Sequence, residues 1–226
     1  MVRIASRLGA LFLVWCIVKT PDSSLREQAT LRAANQVVTA ESGQIRLEAR
    51  VVRLDEHSFS FSYSFTNGGS RNAYVFNRLY DRINQDGTYQ THRNLMYVEM
   101  EPVGVVLSKK IIPVPPNMDV EKPIVPCTTR VRPGETLSEV IEVAFPVKPS
   151  TPYAKPPTSS LQEPEIQRSV WIDIGYLEPT RDVDALARDV RTTEGTAPYF
   201  YPVPVSSQKV LRVGPLPVTV PVVAPR

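Results

Sequence analysis

The sequence predicts an all-β protein, an antiparallel β-sandwich, on three observations. Several segments alternate apolar and polar residues with a period of two, which sends successive side chains to opposite faces of a strand. Proline makes up 22 of the 226 residues, against an ordinary share of about 5%. It is tolerated at strand starts, strand edges and loops rather than in helix interiors. Helical patterns are too few to cover an open sheet, so two sheets must cover each other.

Taken in order, the chain opens on a basic "MVRIASR" and the unbroken apolar run "LGALFLVWCIV", residues 8–18. A basic stretch followed by a short apolar one is the pattern of an export signal, and the run is shorter than the roughly 20 residues a membrane span needs. Residues 1–20 are therefore expected to export the chain to a periplasmic or secreted location, or to tether it there through residues 8–18. That segment is its only expected membrane contact. Cys16 follows an apolar run as a lipidated cysteine does, but Trp15 stands where a small residue belongs. Residues 21–40 read as a linker, helical in part, with Ser24 and Glu27 spaced as a capping box.

The body of the domain is expected over residues 41–226. "QIRLEARVVRL" sets Ile45, Leu47, Ala49 and Val51 on one face and Arg46, Glu48 and Arg50 on the other, the mark of a half-buried strand. "HSFSFSYSFTNGG" sets Phe59, Phe61, Tyr63 and Phe65 against a row of serines. Each ring, if buried, contributes about 1.5–3 kcal/mol, so this row is expected in the core; exposed, it would serve as a carbohydrate platform. "NAYVFNRLY" resumes as a strand, and "NQDG" marks a hairpin. "LMYVEMEP" and "VGVVLSKKIIPV" form a further pair, with Glu99 and Glu101 as an outward polar stripe. An extended, proline-punctuated crossing then leads to the Pro133-Gly134 turn and the strand "TLSEVIEVAFPV". Residues 146–164 are polar and proline-rich, a projecting loop by composition. "RSVWIDIGYLEP" returns to strand. In "TRDVDALARDV" Thr180 caps a helix, and Val183, Leu186, Ala187 and Val190 recur at helical spacing. The tail "QKVLRVGPLPVTVPVV" reads as an edge strand or extended strap.

A strand ending in Thr66-Asn67-Gly68, and Pro133-Gly134-Glu135 ahead of an alternating strand, recur in exported immunoglobulin-like modules. Residues 44–146 resemble such domains, without the Cys-Trp-Cys signature of the antibody type. The resemblance implies an immunoglobulin-like antiparallel β-sandwich, here with Pro-rich loops and one short C-terminal helix.

The residues argue against most chemistry. Only His57 and His92 are available as imidazole bases, and Cys127 has no catalytic signature around it. A hydrolase would have to assemble a cleft from one of these histidines with Cys127 or acids. "LDEHS" and "DRINQDG" lack the spacing of metal loops, and no glycine-rich phosphate loop occurs. No catalytic residue, metal ligand or cofactor is assigned. The net charge of +3 carries no basic cluster beyond Lys109-Lys110, so nucleic acid is not an expected partner. What remains is interaction surface: Tyr153 in the proline-rich loop, and Tyr199, Phe200 and Tyr201 between prolines. The expectation is an exported, non-catalytic module that binds another protein or a cell-envelope component.

Overall fold

Alternating apolar residues build both inner faces of the molecule, and their order along the chain sets the strands. The computed structural model describes residues 36–154, 165–178, 180–203 and 205–223. The expected export segment, the capping box and the second half of the proline-rich loop lie outside the described residues. The strands are β1 (Val38–Ser42), β2 (Ile45–Leu54), β3 (Ser58–Asn67), β4 (Ala73–Arg78), β5 (Tyr80–Ile83), β6 (Tyr89–Thr91), β7 (Tyr97–Glu101) and β8 (Gly104–Lys109). They continue as β9 (Cys127–Val131), β10 (Thr136–Ala144), β11 (Glu165–Leu177), β12 (Arg188–Thr192), β13 (Gly195–Tyr199), β14 (Gln208–Val213) and β15 (Thr219–Val223). A short helix α1 (Arg181–Leu186) precedes β12.

The first sheet runs β1-β2-β3-β10, and the larger one runs β7-β8-β11-β4-β9 with β14 and β15 also on β11. The rings of Phe59, Phe61, Tyr63 and Phe65 are at most 1% exposed. They meet Val75, Val105, Leu107, Ile172, Ile174 and Tyr176 of the larger sheet in one core. This is the sandwich expected from the alternation. The serines across the strand turn the other way, toward the outer face.

The long strand β11 organises the larger sheet. Ile172 pairs with both Leu107 and Val213, and Tyr176 with both Val75 and Lys209. Strands β8 and β4 therefore take turns along one edge of β11, with β14 on the other. β8 runs parallel to β11, and β6 parallel to β12, so the sheets are mixed where pure antiparallel pairing was expected. A parallel pair needs a long crossover, and residues 110–164 supply it.

Several elements differ from expectation. Residues 38–40, read as the end of the linker, belong to β1, which turns into β2 at Gly43 with a positive φ of 59°. "CTTRV", read as part of an extended crossing, is β9 and pairs with β4. Its short length between prolines hid the pattern. The described part of the proline-rich loop does not project: Val147 N–H donates to Pro221 O at 2.8 Å, and Val98 and Ser150 exchange backbone bonds at 2.6 and 3.0 Å. The helix ends at Leu186, and Val190 lies in β12. The β12–β13 hairpin, which pairs five residues on each side, outcompetes a third helical turn. The tail forms β14 and β15, both antiparallel to β11.

A small third sheet, β13-β12-β6-β5, lies beside the outward face of β4. There Tyr74 and Phe76 share a second core with Ile111, Val125, Leu177 and Phe200.

Candidate functional site

Thr180 begins the site. Its backbone is extended (φ −118°, ψ 161°), and its hydroxyl accepts from Val183 N–H at 3.3 Å, which starts α1 directly after β11. Tyr74 O–H donates to Asp184 at 2.7 Å, and the Asn72 amide donates to the same oxygen at 3.1 Å. The helix is thus pinned against β4. The Tyr74 hydroxyl holds the Asp184 carboxyl below the usual carboxylate range. Past β13, residues 200–203 return over the helix. A pocket of about 360 Å³ opens between them, walled by Leu177, Val183, Leu186, Phe200, Tyr201 and Val203, with Glu178, Thr180, Arg188 and Ser207 adding polar groups. Leu186 is 63% exposed at its edge.

A run of tyrosines leads away from this pocket across the small sheet. Ring centroids lie 4.9 Å apart for Tyr80 and Tyr89, 5.2 Å for Tyr89 and Tyr199, and 6.4 Å for Tyr199 and Tyr201. Burial pushes the Tyr80 phenol up to about 12, with Tyr89 adding to the effect.

The four interaction residues expected from sequence divide into two groups. Tyr199, Phe200 and Tyr201 sit together at the pocket and the tyrosine run. Phe200 is its floor, packed edge-on against Tyr74 at 4.9 Å. Tyr153 lies elsewhere, buried with Leu79, Tyr97 and Ile112, and its oxygen accepts from Ile124 N–H at 2.9 Å. The pocket residues on α1 were not expected to take part, although Val183 and Leu186 belonged to the helical stripe read from the sequence.

The other readings meet plain geometry. The aromatic row of β3 is buried and offers no carbohydrate platform. His57, 86% exposed, pairs with Glu56, and His92 pairs with Asp81. No hydrogen bond joins either histidine to Cys127 among the described residues, and Cys127 is buried. Burial pushes its thiol up to about 12. No group of three or more His, Cys, Asp or Glu side chains is placed to hold a metal among the described residues.

Two polar clusters were missed in the sequence. Lys109-Lys110, read as an isolated basic pair, splits across the larger sheet. On the outward face Lys110 reaches Asp173 and Glu99, both at 2.8 Å. Arg212 grips Asp173 at 2.7 and 2.9 Å, and Glu101 at 2.7 and 2.8 Å. Glu99 and Glu101, read as an outward polar stripe, lie on that face and are members of an ion-pair network there. On the inward face Lys109 is fully buried. Its ammonium donates to Glu139 and to the Arg93 carbonyl, each at 2.7 Å. The other Glu139 oxygen accepts from the Asn77 amide at 2.7 Å, and Tyr63 O–H also donates to this carboxylate. Side-chain parity was the available signal: Lys109 follows Val105 and Leu107 on its strand, Glu139 lies between Leu137 and Ile141, and Asn77 follows Ala73 and Val75.

No family model, curated protein or solved structure matches this chain.

Proposed function

We propose that this chain is an exported binding protein that takes an apolar side chain of a protein partner into the pocket between α1 and residues 200–203. The observation that carries the reading is that pocket: about 360 Å³, walled by aliphatic and aromatic side chains, with Leu186 left largely exposed at its edge. Recognition pockets are concave, mostly apolar and marked by a few placed polar groups. A partner's large aliphatic or aromatic residue fills such a volume, and Glu178 and Arg188 are available to orient its backbone or neighbouring charges. The adjoining Tyr199 and Tyr201 extend the surface with residues that favour interfaces, an apolar ring with a polar tip. The export-like N-terminus supports a partner in the cell envelope or outside the cell.

Two measurements test this reading. Leu186→Asp puts a charge at the pocket's edge on an exposed position, so stability should change by no more than about 0.5 kcal/mol. Capture of an envelope protein by the full chain should fall at least about tenfold. Equal capture by a folded Leu186→Asp variant defeats the pocket. Fractionation that recovers the chain only from cytoplasm defeats the address.

A further inference from the structure

The buried cluster inside the sandwich holds an amine and a carboxamide on the two oxygens of one carboxylate. Lys109 ends β8 opposite Ile174, and β4 leaves β11 after Val75, opposite Tyr176. The two strands follow one another along the same edge of β11, so Lys109 and Asn77 meet there. Glu139 comes from the facing sheet, directly across from Tyr63 in the β3–β10 register. Its two oxygens hold the two groups side by side: Oε2 takes Lys109 Nζ and Oε1 takes Asn77 Nδ2, each at 2.7 Å. Lys109 and Asn77 are both under 4% exposed. Asn77 Oδ1 is buried with no hydrogen-bond partner among the described residues.

We propose that Lys109 and Asn77 become joined by an intramolecular isopeptide bond, with Glu139 carrying the protons. An amine and a primary amide are ordinarily unreactive together because the amine is protonated and the amide nitrogen is a poor leaving group. This site addresses both obstacles. Burial pushes the Lys109 pKa down, although Glu139 opposes that shift, so a proton can pass from Nζ to the carboxylate. The neutral amine adds to Asn77 Cγ, forming the C–N bond, and Oδ1 takes the negative charge. The amide nitrogen then accepts a proton, the Cγ–Nδ2 bond breaks, and ammonia leaves. Of the two protons lost from the lysine ammonium, one departs with the ammonia and one stays on Glu139. No oxidant or cofactor is consumed. Confinement replaces a bimolecular encounter, an effect that reaches effective molarities of about 10⁵–10⁸ M in well-oriented pairs. The product also replaces a buried ion pair, whose desolvation is unfavourable, with a neutral amide.

Proteolysis and tandem mass spectrometry of the folded full chain test this. The expected result is one linked peptide pair joining Asn77 and Lys109, lighter than the sum of its parts by one ammonia. Lys109→Arg and Glu139→Gln should yield the two peptides unlinked. Asn77→Asp should give the same linked product, now by loss of water, which keeps the test open if Glu139→Gln does not fold. Unlinked peptides from the folded wild-type chain overturn the proposal, as does a link between Lys109 and Glu139 instead. A link that persists in Glu139→Gln overturns the role given to Glu139.

Discussion

Asp173 shows how one residue can be decided by its neighbours. It sits on a strand whose inward residues, Ile172 and Ile174, are core, and its own side chain is buried on the outward face. Burial alone would raise its pKa, but hydrogen bonds from Arg212 and Lys110 outweigh burial and hold it below the usual carboxylate value. A depressed folded-state pKa means the unfolded chain binds the proton more readily. The stabilisation is complete above the unfolded value, about 4, and is lost as pH falls through the lower folded value. Asp173→Asn leaves Arg212 and Lys110 without their shared anion and should destabilise by about 3 kcal/mol. Denaturant titrations at neutral pH and below pH 4 check both parts: the difference between wild type and variant should shrink in acid. An unchanged difference across that range would remove Asp173 from the account. The same parity logic applies to Lys109. Its face was legible in the sequence, but the carboxylate that meets it lies 30 residues away on the facing sheet.

At the scale of elements, period-two strands were legible and their ends were less so. β2, β3 and β10 appear almost as the alternation predicts, because one face of each is buried and a one-residue slip would expose it. β9 was missed, since five residues between prolines carry little periodicity. The helix was overextended because Val190 satisfies helical spacing and hairpin burial alike, and only the partner strand β13 distinguishes them. Turns add a sharper test. Gly104 opens β8 at φ 147°, and a Cβ there would lie 2.3 Å from the Ser169 carbonyl oxygen. Gly134 has φ 75° with open space around it. Gly134→Ala should cost about 1–2 kcal/mol for its backbone conformation. Gly104→Ala should cost clearly more, because backbone must move as well. Thermal melts of the two variants rank them, and equal losses would mean that β8 and β11 are not held as closely as described.

For the molecule as described, a main core fills the space between the two large sheets and two smaller cores form around Phe76 and around Tyr97. Cys127 is enclosed beneath the small sheet's hairpin, where Thr128 donates its hydroxyl to Pro198 O at 2.8 Å. A thiol that burial pushes up to about 12 carries almost no thiolate at neutral pH, and the thiolate is the reactive form. In a full chain bearing Cys16→Ser, a thiol reagent should label Cys127 only as the domain opens. The rate should rise with denaturant in step with loss of the fold. Labelling at a free-thiol rate without denaturant would contradict the closed packing of β9.

The sequence by itself determined the class of architecture: rings at alternate positions cannot be wetted, so strands with one apolar face had to pair into a sandwich. It also grouped Tyr199, Phe200 and Tyr201 in one segment between prolines. Tertiary structure alone decided that α1 closes a pocket with them, that Tyr153 belongs to a different core, and that Lys109, Glu139 and Asn77 converge. A strand's period tells which face a side chain takes. It carries no information about which distant strand lies opposite, because that depends on how β8 and β4 share one edge of β11 and how the two sheets register across the core.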